Sequence, residues 1–210
     1  MKSAWASSRL IYSFCTHADL PAIAAMLAKP SVCEWLFFGP NPPEVTYAYF
    51  EPLIDGMAEA RAKGAAPESY VFTVRTRPGR GSAGTAGTAA NGREGAFVGQ
   101  CALVADDFSE GAYLIGYQID DTQWRKGYGT EMCRFLVWFA FAIAGAYRLN
   151  GDCAAGNLAS VRIMEGCGFV REGLQRKFWH IRGNYHDRLL YGLLKDDLQA
   201  EQAPWQELFC

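Results

Sequence analysis

The stretch YQIDDTQWRKGYGTE, residues 117–131, decides the fold of this chain. It closes a run of β-forming residues, continues through polar residues, and places Gly127 and Gly129 at the start of a long apolar segment. We therefore predict a strand ending near Ile119, a short loop and a helix over residues 128–144. The first turn of such a helix presents unpaired N–H groups and a positive dipole end, which favour phosphate oxygens.

Four residues of this loop suit a bound diphosphate. Gly127 and Gly129 lack the Cβ atoms that would obstruct its approach, and Arg125 and Lys126 add positive charge. Other phosphate motifs fit less well. The Walker pattern needs a Lys-Ser/Thr pair after its last glycine, and the dinucleotide fingerprint needs a third glycine where this chain has Met132. On this loop alone, a plain tight turn between strand and helix is an equally good interpretation.

A second segment follows the long helix and carries two further motifs. It reads Asn157-Leu158-Ala159-Ser160, then Glu165-Gly166-Cys167-Gly168-Phe169, and finally Glu172-Gly173. Together the two segments resemble the GNAT acyltransferases, in particular their RimJ/RimL-like branch. In that branch a W-x-K-G-Y-[AG]-T-E loop is followed by N-x-x-S and GF-x-x-EG. With the closing hairpin predicted over residues 177–194, the resemblance extends over residues 9–198.

The resemblance implies the GNAT fold, an α/β (α+β) architecture with a central, mixed, mostly antiparallel twisted sheet flanked by helices. Strands and helices that alternate along the chain point independently to a sheet with helices on its faces. We expect one GNAT domain over residues 9–198. Within it, the Gly-, Ala- and Thr-rich residues 77–95 are predicted to be a flexible loop, and residues 199–210 a C-terminal tail.

Acetyl-CoA is the co-substrate that the resemblance implies. The backbone of Gln118 and Ile119 would pair with the pantetheine arm, and the loop before the long helix would hold the diphosphate. Asn157 would contact the cofactor near its thiol, although its position also suits a helix N-cap. The predicted cofactor-binding residues are Gln118, Ile119, Trp124, Arg125, Lys126, Gly127, Tyr128, Gly129, Thr130 and Asn157.

Direct transfer to an amine needs a base, because a lysine-type amine has a pKa of about 10.4. Relatives often carry a glutamate where this chain has Leu114. Glu172 is therefore the first candidate base, followed by Glu110, with a water chain equally open. A backbone N–H near Ile119 would stabilise the oxyanion, and Ser160 or a nearby tyrosine would protonate the leaving thiolate. Ser160 is otherwise an ordinary first-turn serine.

The predicted function is acetyl transfer to a primary amine, of a protein N-terminus or of a small molecule. A non-catalytic acyl-CoA-binding or sensor protein of the same fold is the alternative, since Leu114 removes a carboxylate. A structural or partner-binding module is a third interpretation. Five aromatic residues either wall an acceptor pocket or form ordinary core: Trp35, Phe37, Phe38, Tyr47 and Phe50.

Composition narrows the classes of partner. The 210 residues include 20 Lys and Arg and 22 Asp and Glu, so we expect neither a nucleic-acid clamp nor a basic membrane surface. Residues 135–146 form the most apolar stretch, shorter than the roughly 20 residues that span a bilayer, and predict a buried helix. The N-terminus lacks the apolar core of a signal peptide. We therefore expect no membrane association.

The cysteines and histidines predict no metal site. The seven cysteines are scattered without a C-x-x-C pair, which argues against a zinc ribbon or a disulfide framework and favours the cytoplasm. His180, His186 and Asp187 flank a predicted hairpin turn, but their spacing fits no ligand set, so we expect exposed turn residues. The apolar residues 205–210 and the sheet edges leave a homodimer open.

Overall fold

The computed structural model describes residues 3–78 and 95–198. Most of the predicted loop over residues 77–95, and the whole predicted tail over residues 199–210, lie outside the described residues. The strands are β1 (Ala4–Ala6), β2 (Leu10–Phe14), β3 (Ser69–Thr76), β4 (Phe97–Ala105), β5 (Ala112–Ile119), β6 (Arg148–Ala154), β7 (Val170–Ile181) and β8 (Asn184–Leu194). The helices are α1 (Leu20–Leu27), α2 (Pro43–Ala62), α3 (Tyr128–Ala142) and α4 (Leu158–Gly166).

The described strands form one sheet in the order β1-β2-β3-β4-β5-β6-β8-β7. Every neighbouring pair is antiparallel except β5 and β6, which run parallel. Helices lie on both faces of this sheet, as the burial of their apolar sides against it shows. The predicted mixed, mostly antiparallel sheet with flanking helices is therefore confirmed.

The sheet opens between β5 and β6. These strands pair only from Ala112 with Arg148 to Leu114 with Asn150. Beyond Leu114, β5 continues along β4, and β6 continues along β8. In the described sheet, β5 and β6 are not paired after Leu114 and Asn150. The two strands therefore leave a gap, and backbone N–H and C=O groups along its edge have no partner strand. We call this opening the sheet gap.

The larger core lies between the sheet and α3. Phe135, Leu136 and Phe139 are fully buried, which confirms the buried helix predicted from the apolar run. Phe135 stacks on Tyr12 of β2 with ring centroids 3.9 Å apart and meets Phe72 of β3 edge-on at 5.0 Å. Burial of each large apolar side chain stabilises the fold by roughly 1.5–3 kcal/mol. This packing fixes the N-terminus of α3 at the end of β5.

On the opposite face, α1 and α2 form a smaller core. Ile23 of α1, Phe50 and Ile54 of α2, and Val71 of β3 are buried together there. α2 runs without interruption through Pro52. Proline removes one hydrogen bond from a helix, but the buried apolar side of α2 keeps its two halves against the sheet.

The connection between α1 and α2, residues 28–42, crosses towards the β7–β8 hairpin. Arg182 at the hairpin turn donates from its guanidinium to the carbonyl oxygens of Glu34 at 3.0 Å and Gly39 at 3.2 Å. Phe37 stacks on Trp179 of β7 with centroids 5.7 Å apart. We call residues 28–42 the α1–α2 connection, and these contacts hold it beside the sheet gap.

Strand β7 begins earlier than predicted. The sequence suggested a hairpin from residue 177, whereas β7 starts at Val170. Its pairing with β8 is irregular between Arg171 and Gly173 and again between Gln175 and Trp179. Such bulges put two residues opposite one and interrupt the alternation by which a strand is recognised. Glu172 consequently lies within a strand.

Candidate active site

Two cavities meet at the sheet gap. The loop cavity, about 510 Å³, lies against the residues between β5 and α3, and the aromatic cavity, about 470 Å³, lies under α2 and the α1–α2 connection. Both volumes fall in the range usual for small-molecule sites. The two cavities share six lining residues, namely Trp35, Leu36, Tyr117, Gln118, Asn157 and Ser160. A ligand in one cavity can therefore reach a ligand in the other.

Two helix N-termini border the loop cavity. α3 begins after Gly127, whose φ of 77° is a left-handed conformation that favours glycine, and α4 begins after Asn157. First-turn N–H groups and the positive ends of both helix dipoles thus surround one space. Every predicted cofactor-binding residue except Lys126 lines this cavity. The site suits the phosphates of an anionic ligand.

The Lys126 side chain bonds to its own loop and does not line the loop cavity. Its ammonium group donates to the carbonyl oxygen of Thr122 at 3.1 Å and to Oε1 of Gln123 at 2.9 Å. Arg125 does line the cavity, and so does Arg162 of α4, which the sequence did not single out. Arg162 follows the Asn157 cap by five residues, so the start of α4 was the signal that pointed to it.

Gly129 is required by packing between helices. A Cβ atom there would lie 2.6 Å from Cδ1 of Ile163 on α4 and 3.3 Å from Cδ1 of Ile119. The sequence interpretation assigned this glycine to close approach of a diphosphate. The structure instead places its missing side chain against α4, where it allows the N-termini of α3 and α4 to lie close together.

Arg9, which directly precedes β2, contacts the loop before α3. Its guanidinium donates to the carbonyl oxygen of Lys126 at 2.7 Å and, from Nε and Nη2, to Oε2 of Glu131 at 2.8 and 2.6 Å. It also lies over the ring of Tyr128, 5.1 Å from the centroid. Glu131 accepts a further hydrogen bond from Ser7. Sequence reasoning missed Arg9 because this contact joins residues more than a hundred positions apart.

Lys29 ties the same loop to the end of α1. Its ammonium group donates at 2.7 Å to the carboxylates of both Asp120 and Asp121, and Ser31 donates to Asp121 at 2.6 Å. Burial by itself would raise the pKa of Asp120, but hydrogen bonds from Lys29 and Thr122 hold that pKa below its ordinary value. The Lys29 hydrogen bond likewise lowers the pKa of Asp121. Both carboxylates are therefore charged at neutral pH.

The free edge of β5 supplies backbone groups to the gap. The N–H of Asp120 donates to the carbonyl oxygen of Val98 on β4 at 2.9 Å. Backbone groups alternate sides along an antiparallel strand, so those of Gln118 also face β4, while those of Tyr117 and Ile119 face the gap. The Ile119 carbonyl oxygen accepts from Nε1 of Trp124 at 2.9 Å. Gln118 instead turns its side chain to accept from Gln100.

Asn157, Ser160 and Tyr117 mark the junction of the two cavities. Oδ1 of Asn157 accepts from the Ser160 N–H at 3.2 Å, which confirms Asn157 as the N-cap of α4. The Tyr117 hydroxyl is buried beside the Ser160 side chain. Burial, and then the nearby thiol of Cys133, raise the pKa of Tyr117 well above its ordinary value. Its hydroxyl therefore keeps its proton at neutral pH.

The aromatic cavity has apolar walls. Four of the five predicted aromatic residues line it, whereas Tyr47 packs against the smaller core. Phe50 is buried, so it belongs to the core as well as to the wall. Tyr49 and Trp179 also line the cavity and were not predicted. Tyr49 directly precedes Phe50, and adjacent helical residues do not share a face, so helical spacing gave no signal for it. Trp179 is brought in by the β7–β8 hairpin.

Residues 9–170 match the family model described as the acetyltransferase (GNAT) domain. The chain belongs to the GNAT acetyltransferase family. Probable N-acetyltransferase YjcK of Bacillus subtilis (strain 168) is 35% identical over 84 residues, which are 40% of this chain and 46% of YjcK. The chain spans about half the length of the curated relatives it matches.

Solved GNAT structures share the fold. Spermidine N-acetyltransferase from Vibrio cholerae, in complex with CoA and spermine, aligns with a TM-score of 0.70 at 17% identity. The alignment covers 90% of this chain and 98% of that one. RimJ of Mycobacterium smegmatis, in complex with CoA-disulfide, gives 0.70 at 15% identity, with 95% and 90% covered. These likenesses show that the predicted GNAT fold is correct.

Within this GNAT domain, the predicted bases lie away from the junction. Glu172 forms an ion pair with Arg148 at the start of β6 and lines neither cavity. Glu110 is exposed in the turn before β5, at the end of that strand opposite to Ile119. Leu114 lines the aromatic cavity. Motif position placed Glu172 near the helix end, but the bulge in β7 puts its carboxylate beside Arg148, where β5 and β6 are still paired.

The histidines near the hairpin turn pack on aromatic rings. His186 meets Trp35 edge-on at 5.6 Å, and His180 lies 4.9 Å from the ring of Tyr185. Among residues 3–78 and 95–198, no three His, Cys, Asp or Glu side chains come together as a metal site would require. None of the helices in the described part of this GNAT chain is long and apolar enough to cross a membrane.

Proposed function

We propose that the chain is an N-acetyltransferase that moves the acetyl group of acetyl-CoA directly to a primary amine. The observation that carries this proposal is the junction, where the loop cavity and the aromatic cavity share their lining beside the free edge of β5. Two ligands that enter from opposite sides would meet there. Proximity of this kind favours direct transfer over a covalent enzyme intermediate.

The residues of the loop cavity fit acetyl-CoA. The first turns of α3 and α4, with Arg125 and Arg162, would receive the phosphates. The gap-facing backbone of Tyr117 and Ile119 would hold the pantetheine arm, as an added strand would be held. When bound, acetyl-CoA supplies an electrophilic thioester carbonyl. The CoA complexes of the two structural neighbours support this assignment.

Tyr117 and Ser160 are the proposed proton donors to the leaving thiolate. Both line the junction, and the Tyr117 hydroxyl is protonated and lies beside Ser160. A thiol has a reference pKa of about 8.5, so a donor lowers the barrier to its departure. Glu172 does not suit the base role, because its carboxylate is paired with Arg148 outside both cavities. The proton that the amine loses would instead leave through a chain of water molecules.

Calorimetric titration tests the cofactor assignment. We expect acetyl-CoA to bind, and Arg125→Ala to weaken binding by about tenfold, since one hydrogen bond between charged groups contributes roughly 1.5–3 kcal/mol. Lys126→Ala is the matched control, because Lys126 bonds back to its own loop. Absence of acetyl-CoA binding by the unaltered protein would overturn the proposal.

A non-catalytic acyl-CoA-binding protein is the second candidate. Leu114, at a position where relatives often carry a carboxylate, favours it. The two functions differ in one measurement, the release of free thiol from acetyl-CoA in the presence of amines. Binding without thiol release from any amine would support the sensor.

The acceptor and setting of the enzyme are further parts of the proposal. Among the structural neighbours, one enzyme is bound to spermine and another, RimL, is described as a ribosomal L7/L12 alpha-N-protein acetyltransferase. A small-molecule amine and a protein N-terminus are therefore both consistent with this fold. The six described cysteines are free and buried, which suits a reducing cytoplasm. We retain a homodimer as an open proposal, to be tested by sedimentation.

A further inference from the structure

Large apolar side chains are exposed around the mouth of the aromatic cavity. Phe37 and Tyr49 are 63% and 62% exposed, Val45 is 48% exposed, and Leu114 on the sheet is 39% exposed. All four line this one cavity. Apolar residues gathered at one concave surface mark a binding site more often than scattered ones do. The side of the site that faces the acceptor is therefore built to bury apolar surface.

Among the described residues that line this cavity, the one charged side chain is paired with an arginine. Asp152 of β6 is the only carboxylate among the described residues that line it. Its Oδ2 accepts from Nε of Arg188 at 2.8 Å and from Nη2 of the same guanidinium. Oδ1 makes no hydrogen bond with any described residue. Asp152 and Arg188 together carry no net charge, so the cavity offers one hydrogen-bonding oxygen but no surplus negative field for a polycation.

Two buried polar atoms at this cavity lack partners. Oε1 of Gln100 and Oγ1 of Thr46 have no hydrogen-bond partner within the described parts of the chain, and their residues are 4% and 1% exposed. Both residues line the aromatic cavity. Both atoms are closed off from the cavity, so a ligand would reach either one only after its side chain turned. The oxygen that the cavity offers to an amine N–H is therefore Oδ1 of Asp152.

We propose that the acceptor is a monoamine on a short arm of an apolar, aromatic-sized body, with its nitrogen directed to Oδ1 of Asp152. This inference rests on the proposed acetyl transfer and names the acceptor class of the same site. The apolar body lies among the ring side chains, where Phe37 stacks on Trp179 and meets Phe38 edge-on at 5.2 Å. The cavity of about 470 Å³ holds one ring system with its arm.

Leu114 is the residue that selects this class. Its side chain shares the sheet face of Gly116 and Gln118 and lines only the aromatic cavity. A carboxylate there would add an unpaired negative charge and would favour a second ammonium group. Leucine at this position therefore discriminates against polyamines by leaving their extra charge without a partner.

The test compares phenethylamine with spermidine. We expect thiol release from acetyl-CoA to be at least about tenfold more efficient, as kcat/KM, with phenethylamine. In Leu114→Glu the preference should move towards spermidine by about tenfold or more, whereas the uncharged control Leu114→Gln should weaken phenethylamine without favouring spermidine. Phe37→Ala, at an exposed position, should raise KM for phenethylamine with little change in kcat.

Equilibrium binding gives a second measurement that does not depend on turnover. Phenethylamine should bind to the protein saturated with CoA, and binding should weaken in Phe37→Ala. A preference of the unaltered protein for spermidine, or no binding of phenethylamine to the CoA complex, would overturn the acceptor class while acetyl transfer stands. Failure of acetyl-CoA itself to bind would instead overturn the proposed function.

Discussion

Replacing Gly156 by alanine should displace Trp35 and disturb both cavities at once. A Cβ atom at Gly156 would lie 2.3 Å from Cη2 and 2.4 Å from Cζ3 of the Trp35 ring. Ordinary contact begins at 3.4 Å, so the indole must retreat by about 1.1 Å, the difference between 3.4 and 2.3. Overpacking of this size costs about 1–3 kcal/mol. In a chain of 210 residues this lowers Tm by roughly 3–10 °C.

Binding should change together with stability. Trp35 lines the loop cavity and the aromatic cavity, so its retreat alters the walls of both. We expect Gly156→Ala to weaken acetyl-CoA in calorimetry and the amine in steady-state kinetics, each by about three- to tenfold, because misplacement of about 1 Å is felt strongly at such sites. Trp fluorescence reports the movement of the ring directly.

Two controls separate this clash from a general effect of the methyl group. Gly166→Ala adds the same atom at the end of α4, where nothing lies within 4 Å, and should leave Tm and both affinities unchanged. Trp35→Leu removes the ring atoms that would clash, so Gly156→Ala should cost little in that background. Equal losses from Gly156→Ala with and without Trp35 would refute the packing argument.

Three further outcomes are expected. Arg9→Ala should lower Tm by about 2–8 °C and weaken acetyl-CoA by about threefold, as seen in thermal melts and calorimetry, since a partly exposed clamp contributes about 1–2 kcal/mol; unchanged affinity would contradict its role at the loop. Lys29→Met should lower Tm above pH 4, because Lys29 helps to depress the pKa of Asp120 in the folded state. The stability that this carboxylate confers is present above its unfolded pKa of about 3.9 and is lost as the pH falls through the folded value. A Tm difference between the two proteins that grows towards low pH in scans from pH 3 to 8 would have the wrong sign. Tyr117→Phe combined with Ser160→Ala should reduce kcat by about a hundredfold while acetyl-CoA affinity holds, in thiol-release assays against calorimetry; wild-type kcat would exclude both as proton donors.

The elements predicted correctly from the sequence are those that depend on residues close together in the chain. Gly127, the polar loop before it and the apolar run after it predict a strand, a turn and a buried helix, and these elements form as expected. Asn157 as the cap of α4 rests on the same kind of local rule. Hydrogen bonds that close within a few residues leave their signature in composition and spacing.

Features made by distant residues were not predictable in this way. The clamp of Arg9 on Glu131 and the hold of Arg182 on the α1–α2 connection depend on how the sheet brings separate strands together. Glu172 shows the limit of motif position, since bulges in β7 shift the strand and leave its carboxylate with Arg148. Helices and strands are recognised by the regular spacing of apolar residues. Neither a bulge nor a tertiary ion pair produces such a spacing in a single sequence.

The sheet gap also has a consequence for hydrogen exchange. The N–H groups of Tyr117 and Ile119 lie in the middle of an eight-stranded sheet, yet their side of β5 has no strand to protect them. In the free protein these amides should exchange far faster than their neighbours Gly116 and Gln118, which face β4. Saturating CoA should slow exchange at Tyr117 and Ile119 and leave Gly116 and Gln118 unchanged. The ratio of the two exchange rates would then measure how much of the sheet gap the ligand occupies.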